Sequence, residues 1–179
     1  QQEIKAKNLN KNLKIVPKLV SILDKSNLEK IFKTYKPDTI FHAAAYKHVK
    51  IVEENPITGI ENNVFGTLML AQLSSKYKVS DFVLISSDKA VRPSNIMGAS
   101  KRLAELIIQA FQTKTKFTKF SMVRFGNVLG SSGSVVPKFI DQIKLGGPIT
   151  LTDTKVTRFF MTINEAVSLV IKASTISKG

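Results

Sequence analysis

Apolar residues fall along the chain in two alternating rhythms, short continuous runs and helical stripes, and the alternation predicts strands interleaved with helices. Ser26-Asn27-Leu28-Glu29 has the spacing of a capping box and opens a predicted helix to about Tyr35, with Leu28, Ile31 and Phe32 on its apolar face. Pro37 stops it. Thr39 to His42 reads as a short buried strand, followed by Ala43-Ala44-Ala45 and a loop or short helix through Glu54. Asn55-Pro56 starts a long helix to about Tyr77, since proline suits a first helical turn.

The second half repeats the pattern. Phe82-Val83-Leu84-Ile85 is a continuous apolar run, the mark of a strand buried on both faces, and it ends at Ser86-Ser87-Asp88-Lys89. A helix from about Asn95 to Thr113 carries Leu103, Leu106, Ile107 and Ala110 on one face, and Lys119 to Phe125 is the next strand. A loop spans Gly126 to Gly133, and a helix from about Val135 to Leu145 is closed by Gly146-Gly147. Ile149 to Leu151 and Thr157 to Met161 read as short strands, and Thr162-Ile163-Asn164-Glu165 caps a last helix. The expected fold class is α/β, a parallel sheet with helices on both faces, in which ligands bind beyond the carboxyl ends of the strands.

Composition narrows the function. The 179 residues are 43% hydrophobic and contain no cysteine, which suits one sizeable core and excludes a disulfide scaffold, a thiolate metal site and a cysteine nucleophile. With two histidines, no metal site is expected. No apolar run is long enough to cross a membrane. The net charge of +14 suggests a nucleic-acid binder, but the cations are lysines except for Arg92, Arg102, Arg124 and Arg158, whereas base and phosphate recognition favours the guanidinium fork. The densest stretch, Lys5 to Lys18, lacks aromatic stacking residues and reads as a solvated face. No nucleic-acid partner is expected.

Ser86-Ser87-Asp88-Lys89 is the richest strand end, although a turn with a surface ion pair fits the local pattern as well as a site does. Met97 and Lys101 stand one helical turn apart and share a face. Taken with the segments Phe41 to Val49, Glu61 to Thr67, Arg124 to Gly130 and Thr157 to Thr162, the string from Ser86 to Lys101 resembles the extended short-chain dehydrogenase/reductases. Within them it is similar to the bacterial nucleotide-sugar 4,6-dehydratases of polysaccharide and glycan biosynthesis. Most of that superfamily has a tyrosine base four residues before the lysine. Here the position is Met97, which the resemblance places in a methionine-containing subgroup acting on UDP-N-acetylglucosamine.

The resemblance implies a Rossmann-like fold, NAD or NADP as cofactor, and a UDP-sugar as substrate. The implied reaction oxidises sugar C4, removes the acidified C5 proton, expels the C6 hydroxyl as water and returns the hydride to C6, giving a 4-keto-6-deoxy sugar. By the same resemblance Asp88 is the acid, Lys89 the C5 base and Ser87 the C4 contact, while Lys101 holds the nicotinamide ribose with Met97 beside it. The base role requires Lys89 to lose its proton through desolvation or the nearby Lys101. Ala43, Ala44, Ala45, Asn63, Ser86, Lys101 and Phe125 are expected on the cofactor side. Lys47, His48, Asn127, Ser134, Val135, Pro137 and Arg158 are expected on the substrate side, with Asn127 and Arg158 at the diphosphate. His42 reads as a satisfied core histidine, and Asn63 as a helix kink or a water-mediated site residue.

The chain departs from the family at its start. A dinucleotide site needs a glycine-rich turn, and no glycine precedes Gly59. Residues 1–179 are therefore expected to be a fragment of one NAD(P)-binding domain, lacking the first glycine-rich βαβ unit, with Ser21 where the family has an acidic adenine contact. The parent is expected to be a homo-oligomeric cytoplasmic enzyme or the cytoplasmic part of an inner-membrane protein, with no membrane contact through this fragment. A nucleotide-sugar 4-epimerase and a non-catalytic nucleotide-sugar-binding module are the alternatives.

Overall fold

The computed structural model describes residues 13–131, 135–151 and 153–176. Most of the lysine-dense stretch from Lys5 lies outside these residues, as does Ser134. The first helix, α1 (Lys25–Tyr35), leads to β1 (Thr39–His42) and the short α2 (Val49–Glu54). Asp24 caps α1, accepting from Asn27 N–H at 3.1 Å and from the Asn27 amide at 2.6 Å. The cap predicted at Ser26 is thereby corrected: an aspartate two residues earlier already reaches the free N–H, so Ser26 lies within the helix. Ser21 accepts from Leu23 N–H in the preceding turn.

The long helix predicted after Asn55 is interrupted. It comprises α3 (Pro56–Ile60), a π-helical turn at Glu61–Phe65 and α4 (Gly66–Lys76). The π turn carries Asn63 into the interior, where it is 1% exposed. The chain continues through β2 (Asp81–Ser87), a 3₁₀ turn at Asp88–Ala90, α5 (Ile96–Lys114), β3 (Lys119–Phe125) and β4 (Asn127–Val128). It ends with α6 (Val135–Lys144), β5 (Phe160–Met161) and α7 (Ile163–Ile176). The reciprocal Thr162–Glu165 cap forms as predicted, with Thr162 N–H to Glu165 at 2.7 Å and Glu165 N–H to Thr162 Oγ1 at 3.2 Å.

Strands β1, β2 and β3 form a parallel sheet in that order, with His42 beside Leu84 and Ser86 beside Arg124. Phe82 and Leu84 face a core built with Phe32, Leu70, Leu73, Ile108 and Phe120. Val83 alternates to the other face of the buried strand, and α7 packs against β2 and β3 outside that core. Burial of each large apolar side chain contributes about 2 kcal/mol, so this shared cluster holds the strand ends in place.

Two strand predictions change. Ile149 to Leu151 forms no strand, because Gln142 on α6 takes the polar groups of Thr150, accepting from its N–H at 3.2 Å and donating to its hydroxyl at 2.9 Å. Only Phe160–Met161 of the predicted Thr157–Met161 strand forms, and it pairs in parallel with Asn127–Val128, which was expected to be loop. Gly126 makes the pairing sterically feasible: an added Cβ would lie 2.8 Å from the Phe159 carbonyl oxygen.

Candidate active site

The carboxyl ends of β1, β2 and β3 open into a cavity of about 680 Å³. Its walls bring together Ala43, Ala45, Lys47 and His48 after β1, and Ser86, Ser87 and Lys89 at the end of β2. Met97 and Lys101 come from α5, Phe125 and Asn127 from β3 and β4, Val135 from α6, and Arg158 from the segment before β5. Ala44, Asn63, Asp88 and Pro137 are not among the lining residues, and Phe139, Asp153 and Phe160 are lining residues that sequence reasoning missed.

Ser87 caps the 3₁₀ turn, accepting from Lys89 N–H at 3.2 Å, while its hydroxyl donates to Asp88 at 2.9 Å. Lys89 Nζ lies 3.2 Å from the Asp88 carboxylate and 3.4 Å from Asn127 Oδ1, so it bridges the turn after β2 and the first residue of β4. Partial burial pushes the Asp88 carboxyl up, but bonds from Ser87 and Lys89 outweigh it and hold Asp88 below the usual carboxylate range. Gly98 lets α5 approach this turn: a Cβ there would sit 2.4 Å from the Lys89 carbonyl oxygen.

Lys101 is 8% exposed and donates to the Ile85 carbonyl at 3.1 Å. Burial lowers its pKa to about 8 despite the opposing charge of Glu105. Met97, one turn earlier, is 2% exposed and supplies an apolar wall with no proton to exchange. His42 is buried beneath this wall and pairs with Thr67 Oγ1 at 2.9 Å. Because the Thr67 hydroxyl donates to Asn63 C=O at 2.6 Å, it accepts from His42, which fixes the neutral Nε2–H tautomer. Burial, then the charge of Lys101, lowers the His42 pKa to about 4. His42 is thus a satisfied core residue, as its pattern suggested.

Asn63 acts behind the cavity wall. Its side chain grips the main chain of Tyr46 and donates to Ser100 Oγ at 2.9 Å, tying the loop after β1 to α5. The kink reading of Asn63 is realised as the π turn. Arg158 is exposed, and its guanidinium donates to Thr157 C=O at 2.8 Å from the cavity rim.

Two features of the cavity wall leave it open to a polar ligand. Ala43 and Ala45 leave room on one wall, and Lys101 has ammonium N–H groups beyond the one bonded to Ile85. Among the described residues no glycine-rich turn precedes β1. No group of three acidic or histidine side chains among the described residues is arranged to hold a metal ion. No helix among them is long and apolar enough to cross a membrane.

Comparison with known proteins places this cavity in context. Residues 1–179 match the family model described as polysaccharide biosynthesis protein. The chain is 45% identical over 174 residues to the capsular polysaccharide biosynthesis protein CapD of Staphylococcus aureus, covering 97% of this chain and 29% of CapD. It is 49% identical over 161 residues to the probable polysaccharide biosynthesis protein EpsC of Bacillus subtilis, covering 90% and 27%. A UDP-glucose 4-epimerase of Rickettsia canadensis is 43% identical over 138 residues, covering 76% of this chain and 40% of that protein. Among solved structures, Pen from Bacillus thuringiensis superposes with a TM-score of 0.90 at 38% identity, over 100% of this chain and 55% of its own. The Thermotoga maritima UDP-glucose 4-epimerase with UDP-glucose superposes at 0.82 and 25% identity, over 96% of this chain and 61% of its own. The chain therefore spans under a third of CapD and EpsC.

Proposed function

The chain belongs to the polysaccharide biosynthesis protein family, and from that premise we propose that it carries the catalytic core of a nucleotide-sugar 4,6-dehydratase acting on UDP-N-acetylglucosamine. The observation that supports this reading most is the meeting of Lys89, Asp88 and Asn127 at the mouth of a cavity whose helical wall offers Met97 and Lys101 but no tyrosine. Residues 1–179 would form part of one NAD(P)-binding domain of a longer cytoplasmic protein or cytoplasmic region. A homo-oligomer fits the exposed Phe65, Leu103 and Leu106 on the neighbouring elements that include α5.

When bound, the nicotinamide dinucleotide would accept hydride from sugar C4 and return it to C6. The chain's own residues would manage position and protons. Lys101 would bind the ribose hydroxyls with the N–H groups that Ile85 leaves over, and Met97 would keep water from the ring face. Ser87 would hydrogen-bond the C4 oxygen. The Asp88–Lys89 ion pair and the neutral acid–amine pair differ by one proton moved across a 3.2 Å contact. The proton released from the C4 hydroxyl on oxidation would pass through Ser87 to Asp88, with Lys89 as the free amine. The amine would then take the C5 proton while Asp88 protonates the departing C6 hydroxyl, and Lys89 would give its proton back to C5 as hydride reaches C6, so the pair ends as it began and one water is lost. Asn127, Arg158, Lys47 and His48 would receive the UDP portion.

Named 4-epimerases among the relatives favour a second reading, inversion at C4 without loss of the C6 hydroxyl. The fate of C6 separates the two. Incubating the intact protein with UDP-N-acetylglucosamine is expected to give a 4-keto-6-deoxy product; a C4 epimer that keeps its C6 hydroxyl would support the second reading.

A further inference from the structure

Glu105 is 0% exposed, yet nothing in the reaction outlined above uses it. Its carboxylate is fully engaged. One oxygen accepts from Ser86 Oγ at 2.6 Å and Arg124 Nε at 2.7 Å; the other accepts from Arg124 Nη2 at 2.5 Å and Arg102 Nη1 at 2.9 Å. Ser86 and Arg124 are facing partners in the β2–β3 register, and the next pair is Ser87 and Phe125. Beyond that rung stand Lys89 and Asn127, which meet at 3.4 Å. The contacts therefore close one rung before the two site segments separate.

We propose that Glu105 is a positioning residue that clamps the carboxyl ends of β2 and β3 through Ser86 and Arg124, so that Lys89 and Asn127 face the same point of the cavity. This inference rests on the dehydratase reading for its kinetic consequence, but not for its structural one. A planar carboxylate receiving a bidentate guanidinium fixes both distance and orientation between the strands, which a sheet ladder leaves free to twist near its end. Uncompensated removal would leave Arg124 and Ser86 without their acceptor.

The position of Glu105 gives the clamp a second effect. It lies one helical turn after Lys101, and its charge raises the Lys101 pKa against the larger lowering by burial. The other charged or titratable groups around Lys101 and Glu105 are His42 on β1, Arg102 on α5 and Arg124 on β3, with Lys47, His48 and Lys89 lining the same cavity as Lys101. Glu53 of α2 is engaged with Ile96 N–H at the start of α5.

The test uses the intact protein carrying this chain, with two variants and two readouts. In Glu105→Gln, the Lys101 titration, followed by NMR of 13C-labelled lysine and assigned with Lys101→Arg, is expected to move to lower pH. In Arg124→Lys, which keeps the charge but loses the fork, that titration is expected to stay in place while kcat falls at least 10-fold and the KM for UDP-N-acetylglucosamine changes less than 3-fold. An unmoved Lys101 titration in folded Glu105→Gln, or wild-type kcat in Arg124→Lys, overturns the inference. Should Glu105→Gln fail to fold, the Arg124→Lys arm decides. A wild-type protein with no dehydratase activity defeats the functional reading, and amide hydrogen exchange at Ser87 and Phe125 then tests the clamp alone: faster exchange in Arg124→Lys is expected, and unchanged exchange overturns it.

Discussion

Asn63 holds Tyr46 by both of its main-chain polar groups: Tyr46 N–H donates to Oδ1 at 2.7 Å, and Nδ2 donates to the Tyr46 carbonyl at 3.0 Å. This two-point contact copies a strand–strand pair using a side chain, and it fixes the loop that carries Lys47 and His48 into the cavity. Asn63→Ala is expected to lower stability by about 2 kcal/mol, since it removes the three hydrogen bonds that a buried side chain makes to the Tyr46 main chain and the buried Ser100 hydroxyl. It should also weaken UDP-N-acetylglucosamine binding at least 10-fold. Calorimetric unfolding and titration of the sugar nucleotide check both; unchanged binding with reduced stability would show that the loop holds its place without the grip.

Under the proposed function, Lys101 sets function against stability. Its pKa is about 8 in the folded chain against 10.5 in an exposed lysine. Below about pH 8 both states are protonated and the folded state carries the cost of a charge in a dry site. Between about pH 8 and 10.5 the unfolded chain holds the extra proton, so this group's contribution to stability rises with pH. Lys101→Met is expected to stabilise the protein at pH 7 by up to about 3 kcal/mol while abolishing turnover. Urea unfolding at pH 7 and pH 10 provides the check, with the gain shrinking at the higher pH.

His42 gives the opposite limb. It stays neutral in the folded chain down to about pH 4, whereas the unfolded chain takes up its proton near pH 6.5. Its contribution is complete above pH 6.5 and is lost as pH falls through 4, amounting to about 3 kcal/mol. His42→Gln, which can still donate to Thr67, should flatten the pH dependence of unfolding between pH 6.5 and 4. An equally steep dependence in the variant would place the acid sensitivity elsewhere.

Much of this arrangement was legible in the sequence. A continuous apolar run identifies β2, and the strand predicted at Thr39–His42 forms as β1, although it is not buried as expected, since Phe41 is 47% exposed; the ends of both strands point to the cavity because a parallel sheet gathers its carboxyl ends. The pairing of Asn127–Val128 with Phe160–Met161 was not legible, since two-residue strands carry no periodicity and depend on Gly126 admitting the Phe159 carbonyl. Glu105 was hidden for another reason: a charged residue in a helical pattern reads as a solvated position, and only the convergence of Ser86, Arg102 and Arg124 shows that it is interior. A glutamate three residues after Arg102 and four after Lys101 was the available signal.

Gly98 tests whether helix approach sets the position of Lys89. A methyl group there must displace the Lys89 carbonyl, 2.4 Å from the added Cβ, and backbone cannot yield as a flexible side chain can. Gly98→Ala is expected to cost about 1–3 kcal/mol and to lower kcat at least 10-fold. Kinetics beside thermal unfolding check it; wild-type kcat would mean that the turn shifts without moving the amine.

Under the proposed function, Lys89 removes the C5 proton of a nucleotide sugar whose C6 oxygen then leaves. The most direct test is to incubate the intact protein with UDP-N-acetylglucosamine in D2O and follow the sugar by NMR, for the wild type and Lys89→Ala. The wild type should form a 4-keto-6-deoxy sugar with deuterium at C5, and Lys89→Ala, still binding cofactor, should form none and exchange no C5 proton. C5 exchange at the wild-type rate in Lys89→Ala would contradict the account.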